Sequence, residues 1–305
     1  MKVLICGIAS EHARLVALQL VERGHEVLGI DQRPWRDPPD GITIFQADVR
    51  KRPAEDVFRA QQPDTVIHMG TVSHFEVSRD ERYRINLGGT RAVIDNCAKY
   101  GVAHVVFVSR HTVYGAAPDA PLFRTEQEPP LGGSIFPDLA DLVAADLYAA
   151  QTIWRHPNIS TAVLRMAYAL GPKGRGTLAN FLRGPRVPMV LGFDPLFQFM
   201  HDFDAASAIT VAAEHALSGV FNVAGPPPIP LSVLAQHAGR AHIPMPEPVL
   251  RRVLGKWGFP QLPPGAIPHL KYPIIVDDGA FRAATEFEHR YDDQTIIHEY
   301  REAHE

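Results

Sequence analysis

Through residue 166, short apolar runs of strand length alternate with segments whose apolar residues recur at helical spacing. That alternation constrains the fold more than any other feature. Lys2–Cys6, His25–Ile30, Ile42–Phe45, Thr65–Met69, Ala103–Ser109 and Thr161–Met166 read as strands. Glu11–Arg23, Pro53–Gln61, Arg79–Tyr100 and Asp138–Trp154 read as helices. In the first helix Leu15, Leu18 and Val21 share a face, and Gly24 follows as a C-cap residue. Strands that are apolar throughout and followed by helices make a parallel sheet buried on both faces. A chain of 305 residues, 46% apolar and 21% charged, has length for such a domain and a smaller second lobe. Proline crowds segments 118–137, 185–195, 226–230 and 244–273, which therefore become loops, edges and helix starts. The expected division is 1–170 and 171–305, the lobes interleaved and some later strands returning to the first domain.

A net charge of −4 without a clustered basic run argues against nucleic acid as the partner. The N-terminal apolar run ends at Glu11 and His12 with no small-residue cleavage site, and it is far shorter than the ~20 residues that span a bilayer. Cys6 and Cys97 sit in apolar segments without a CxxC neighbour and read as reduced thiols. The expectation is a cytoplasmic protein with no membrane partner.

The turn after the first strand reads Gly7-Ile8-Ala9-Ser10-Glu11-His12-Ala13, where a strand–turn–helix unit binds a pyrophosphate on helix amides. Ser10 replaces a glycine that would let the backbone approach the phosphates, and Glu11 brings a carboxylate near them. Asp31 closes the second strand about twenty residues on, placed to accept ribose hydroxyls. It favours NAD over NADP, whose 2′-phosphate it would repel, although Arg33 and Arg36 stand nearby; the plainer reading of Asp31 is a strand-end turn residue.

Further landmarks follow in order: Ala47-Asp48-Val49, Val66-Ile67-His68-Met69-Gly70, Asn86-Leu87-Gly88-Gly89-Thr90, Ser109-Arg110-His111-Thr112-Val113-Tyr114-Gly115, Leu164-Arg165 with Gly171-Pro172, Phe199-Met200-His201-Asp202, and Phe221-Asn222-Val223-Ala224-Gly225. Together they resemble the extended short-chain dehydrogenase/reductases, closest in pattern to the nucleotide-sugar epimerase/dehydratase-like proteins, over almost the whole chain. The resemblance implies an α/β fold, a Rossmann-type doubly wound parallel sheet with a smaller C-terminal substrate-binding lobe. It also implies NAD as cofactor, contacted by Gly7, Ser10, Glu11, His12, Asp31, Gln32, Asp48, Val49, Met69, Gly70, Thr71 and Asn86. Binding is expected to be weakened at Ser10 and Glu11.

In that family a Ser or Thr holds the substrate oxygen, a Tyr passes the proton, and a Lys four residues later lowers the Tyr pKa. A phenol near pKa 10 is otherwise a poor base at neutral pH. The Ser or Thr belongs four residues before Tyr114, where this chain has Arg110 between Ser109 and His111. Matching the later acid to Asp146 puts Asp138 at the Tyr position and Leu142 at the Lys position; no Tyr-x-x-x-Lys occurs in the sequence. Leu142 instead continues an apolar face with Leu139, Val143, Leu147 and Ile153. His111, Tyr114 and Asp138 are the candidate substitutes for the missing catalytic groups. His74, Arg110, Thr112 and Tyr114 are the candidate substrate contacts, and the Arg110 cation implies an anionic small molecule or nucleotide sugar. His68, His74 and His111 stand at or just after strand ends, yet no His-x-x-x-His or Cys/His spacing supports a metal.

The favoured reading is an NAD(P)-binding, epimerase/dehydratase-like protein with a degenerate catalytic site and little ordinary turnover. The alternative is an active NAD-dependent epimerase, dehydratase or oxidoreductase using His111, Tyr114 or Asp138. A homodimer is expected through Arg79–Tyr100 and Asp138–Trp154, with Tyr148 and Trp154 supplying apolar surface.

Overall fold

A computed structural model describes residues 1–72 and 77–304 of the chain. Strands β1 (Lys2–Cys6), β2 (Glu26–Asp31), β3 (Ile42–Gln46), β4 (Thr65–His68) and β5 (His104–Arg110) are joined by Ser160–Met166 and Gly219–Val223. Among the described residues these seven make one parallel sheet, ordered Gly219–Val223, Ser160–Met166, β5, β4, β1, β2, β3. The order reverses between β1 and β4, which opens a crevice at the carboxyl edge of the sheet.

Alternate residues of each strand enter opposite cores. Val3 and Ile5 pack with Val16 and Leu20 of helix α1 (Glu11–Glu22), whereas Leu4 and Cys6 pack with Phe58 of helix α2 (Arg52–Gln61), Val93 and Cys97. Covering both faces is why these strands are apolar at every position. Helix α1 begins where the Ser10 hydroxyl accepts the Ala13 amide at 3.3 Å. It stops before Gly24, whose φ of +81° is a left-handed conformation that glycine adopts without a side-chain clash.

The second half is tied into the first. Helix Asp202–Glu214 sends Ala205, Ile209 and Ala212 into the core shared with α1, and Gly219–Val223 extends the sheet beyond Ser160–Met166. The remaining lobe closes around Leu178, Phe181, Val187, Leu231, Leu234, Ile296 and Tyr300. Among the described residues no helix is long and apolar enough to cross a membrane.

Two helices differ from the sequence pattern. The expected helix at 79–100 is interrupted by a π-helical turn, Arg84–Gly88, between Arg79–Tyr83 and Gly89–Tyr100. Buried Asn86 lies in that turn: its Nδ2 donates to the Val72 carbonyl at 2.9 Å and to Asp141 at 2.7 Å, and its Oδ1 accepts the Val72 amide at 2.7 Å. The helix expected from Asp138 begins instead at Ala140, after a 3₁₀ turn at Pro137–Leu139, and runs to Arg155. Leu147 is not on its packed face but 42% exposed. The neighbouring Asp146 takes the buried side because it is bound to Arg165 and Ser109.

Candidate functional site

The turn between β1 and α1 has the geometry of a pyrophosphate cradle. Gly7 adopts φ +91°, and a Cβ there would stand 2.6 Å from the Gly70 Cα, so only glycine lets this turn rest on the end of β4. Ser10 sits at φ −74°, which any residue adopts, so its presence in place of glycine adds bulk without backbone strain. The amides of Glu11 and His12 are spent on no protein acceptor among the described residues and remain for an anion at the helix N-terminus. Glu11 lies 3.6 Å from Arg14, which offsets part of its charge. His12 is held by Asp202, Nε2 to Oδ1, at 2.9 Å.

The two acids expected to contact the adenosine are both engaged. Asp31 Oδ1 accepts the Arg33 amide and Nε at 2.9 and 3.2 Å; its Oδ2 accepts the Ala9 amide and Arg33 Nη2, each at 3.1 Å. A carboxylate offers about four acceptor positions. A ribose diol therefore reaches Asp31 only when the Arg33 side chain, 66% exposed, swings away. Asp48 is gripped by Arg50 Nε and Nη2 at 2.9 and 2.8 Å, which holds its carboxyl below the usual range. Gln32 is exposed, and Val49 packs into the α2 side of the core.

A cavity of about 370 Å³ opens along the carboxyl edge of the sheet. Ser10, His12, Met69, Thr71, Arg110, His111 and Thr112 line it, as does Tyr168 just after the strand Ser160–Met166. Phe136, Leu139, Phe181, Phe197, Leu262, Ala266 and His269 close it from the other side. The Arg110 guanidinium makes no hydrogen bond or ion pair among the described residues; burial lowers its pKa, and the carboxylate of Asp141 works in the opposite sense. His111 Nδ1 lies 3.0 Å from the Met166 carbonyl, which can only accept, so Nδ1 carries the proton and Nε2 the lone pair. Burial pushes His111 down to about 3, and its ring meets Tyr168 edge-on at 4.4 Å. Burial likewise pushes the Tyr168 phenol up to about 12.

Other candidates lie away from this cavity. Tyr114 is fully buried: its hydroxyl donates to Asn222 Oδ1 at 2.8 Å and accepts from Arg165 Nη1 at 2.9 Å. Arg165 in turn forks onto Asp146 at 3.1 and 2.7 Å, and Ser109 donates to the same carboxylate at 2.6 Å. That closed network leaves the phenol nothing to offer a ligand. Asp138 does not line the cavity, and its backbone carbonyl accepts Arg82 Nη2 at 2.6 Å. Leu142 packs with Phe136, Leu139 and Ala266. His68 faces Thr90 at 3.1 Å, with burial pushing it to about 4, and does not join His111 in the cavity. His74 lies outside the described residues. Among the described residues no group of His, Cys, Asp and Glu is disposed to hold a metal.

Sequence reasoning missed Tyr168 and His269. Tyr168 follows a strand on the ligand-binding edge, a position that could have been flagged. His269 had no such signal, because it reaches the cavity from a 3₁₀ helix, Pro264–Leu270, in a proline-rich stretch. Its Nε2 is buried without a hydrogen-bond partner, and burial pushes its pKa to about 4.

Comparison with known proteins agrees with the fold. An uncharacterised protein of Mycobacterium tuberculosis is 31% identical over 209 residues, which cover 67% of this chain and 55% of that protein. The chain thus spans about half the length of the curated relatives it matches. Two solved structures share the fold across nearly their whole length. MoeE5 in complex with UDP-glucuronic acid and NAD has TM-score 0.78 and 19% identity, with 99% of this chain and 98% of that one covered. A Thermus thermophilus UDP-glucose 4-epimerase in complex with NAD has TM-score 0.78 and 20% identity, with 100% and 99% covered. A family model described as the NAD dependent epimerase/dehydratase family matches residues 3–224, and the chain belongs to that family.

Proposed function

We propose that this protein binds NAD along the carboxyl edge of β1 and β2 and holds an anionic small molecule against Arg110, without the proton relay of active relatives. The guanidinium of Arg110 carries the reading. It stands in the cavity wall at the position of the family's Ser or Thr and spends no hydrogen bond within the described protein. Leu142, at the Lys position, is packed against Phe136 and Leu139, so an ammonium there has been exchanged for core. Of the three substitutes considered, only His111 lines the cavity, and a group pushed to about 3 is a weak base at neutral pH.

The Glu11 and His12 amides would hold the pyrophosphate, Asp31 the adenosine ribose, and Asp48 with Val49 the adenine edge. Bound NAD supplies a hydride acceptor. NAD is favoured over NADP once Arg33 swings off Asp31, because the freed carboxylate accepts a ribose diol and repels a 2′-phosphate. The anionic ligand carries a carboxylate or phosphate, nucleotide sugars included, as in the MoeE5 complex. The same reading makes the protein a cytoplasmic homodimer. Cys6 and Cys97 are buried free thiols, and Leu147 and Trp154, 42% and 85% exposed, stand seven residues apart on one helix face.

The test is a panel of nucleotide sugars incubated with NAD and followed by nicotinamide absorbance and product chromatography, beside a calorimetric NAD titration. Saturable NAD binding with no turnover above background is expected. Robust turnover would overturn the lost-relay reading, and absence of heat at millimolar NAD would overturn the cofactor assignment.

A further inference from the structure

The cavity is asymmetric in a way that narrows its ligand. Among the described residues Arg110 is the only Lys, Arg, Asp or Glu in its wall. His12 lines it too but is matched to the carboxylate of Asp202 at 2.9 Å. His111 and His269 are held neutral by burial. The Tyr168 hydroxyl makes no hydrogen bond to described residues, and its ring stacks at 6.0 Å on Phe197. Most of the remaining wall is apolar: Phe136, Leu139, Met166, Phe181, Ile209 and Leu270 belong to it.

Among the described residues Arg110 has no ion-pair partner within reach, and the Asp141 carboxylate acts on it only from a distance, so a cation in a mostly apolar chamber leaves room for no more than one further negative charge. A phosphate monoester brings about −1.5 to −2 and a nucleotide diphosphate at least as much, so part of that charge would be desolvated without a partner. A carboxylate brings a single charge, and its two oxygens match the planar guanidinium fork.

We infer that the cavity takes a monocarboxylic acid with an apolar body, its carboxylate held by the Arg110 guanidinium and the Tyr168 hydroxyl. This rests on the reading of Arg110 as the anion holder and gives that anion its chemical class. His111 Nε2, bearing its lone pair, then accepts from a hydroxyl or amide of the acid, because its proton is committed to the Met166 carbonyl. The apolar walls take up the hydrocarbon part.

The experiment is calorimetry on the purified chain with 3-phenylpropionate, 3-phenylpropionamide, octanoate, inorganic phosphate and UDP-glucose, each with and without NAD. The acid is expected to bind at least about tenfold more tightly than its amide, since a charge-assisted hydrogen bond typically separates them by that much. In Arg110→Met the two should converge, with the circular dichroism spectrum checking that the variant is folded. The acid–amide comparison on the unaltered protein stands whether or not that variant folds. Equal binding of acid and amide, tighter binding of phosphate or UDP-glucose, or no heat from either acid at millimolar concentration overturns the inference. NAD binding without acid binding removes this inference and leaves the cofactor reading. Acid binding without NAD binding supports the inference and removes the cofactor reading.

Discussion

Replacing Tyr114 with phenylalanine separates a buried structural phenol from a ligand-lining one. The hydroxyl bridges Asn222 Oδ1 at 2.8 Å and Arg165 Nη1 at 2.9 Å, in a site with no exposure. Its removal strands one donor of a buried guanidinium and one amide oxygen, while Arg165 keeps both contacts to Asp146. A hydrogen bond to a charged group is worth about 1.5–3 kcal/mol and a neutral one about 0.5–1.5, so the loss is roughly 2–4 kcal/mol. An unfolding entropy of about 2.1 cal/mol/K per residue over 305 residues is about 640 cal/mol/K, and the melting temperature should fall by about 3–6 °C. Differential scanning calorimetry and urea denaturation measure this directly. Calorimetric affinities for NAD and 3-phenylpropionate should stay within about twofold, because the phenol lies outside the cavity. An unchanged melting temperature with a tenfold loss of either affinity would refute the placement of Tyr114 in a closed network.

Arg33→Ala should free Asp31 for a ribose diol and tighten NAD by about threefold to tenfold, the size of one or two recovered hydrogen bonds. It should also raise the preference for NAD over NADP by removing the nearest cation to a 2′-phosphate; titrations with both nucleotides test it, and weaker NAD binding would sink the idea. His68 and His111 are each 1% exposed and held at about 4 and about 3, below the ~6.5 of an unfolded histidine. The unfolded chain therefore binds protons that the folded one refuses. Their stabilisation is fully present above about pH 6.5 and falls toward pH 4, by up to about 1.4 kcal/mol per pH unit for each. Urea midpoints at pH 7.5 and pH 5 should differ accordingly, and His111→Phe should narrow the gap; equal midpoints for the unaltered protein contradict it. Trp154→Glu should convert a dimer to a monomer in light scattering, whereas a monomeric unaltered protein dismisses the interface.

The strand–helix alternation, the Gly7 turn and the placement of Asp31 were legible in the sequence because each depends on neighbours a few residues away. Periodicity reports which face is buried, and Gly7 takes the left-handed φ of +91° that its own turn needs. The packing of Leu142 was legible for the same reason, since that residue continues a helix face. Even the capture of Asp31 by Arg33 and of Asp48 by Arg50 is a contact between residues two apart. The sequence could not say that Tyr114 is spent on Asn222, 108 positions away, or that Asp146 would turn Leu147 outward to reach Arg165. It could not bring Tyr168 and His269 to the same cavity wall as Arg110. Those outcomes belong to tertiary structure because buried polar groups take whichever partner the packed chain places within reach. No local pattern encodes where a proline-rich segment will close over a sheet edge.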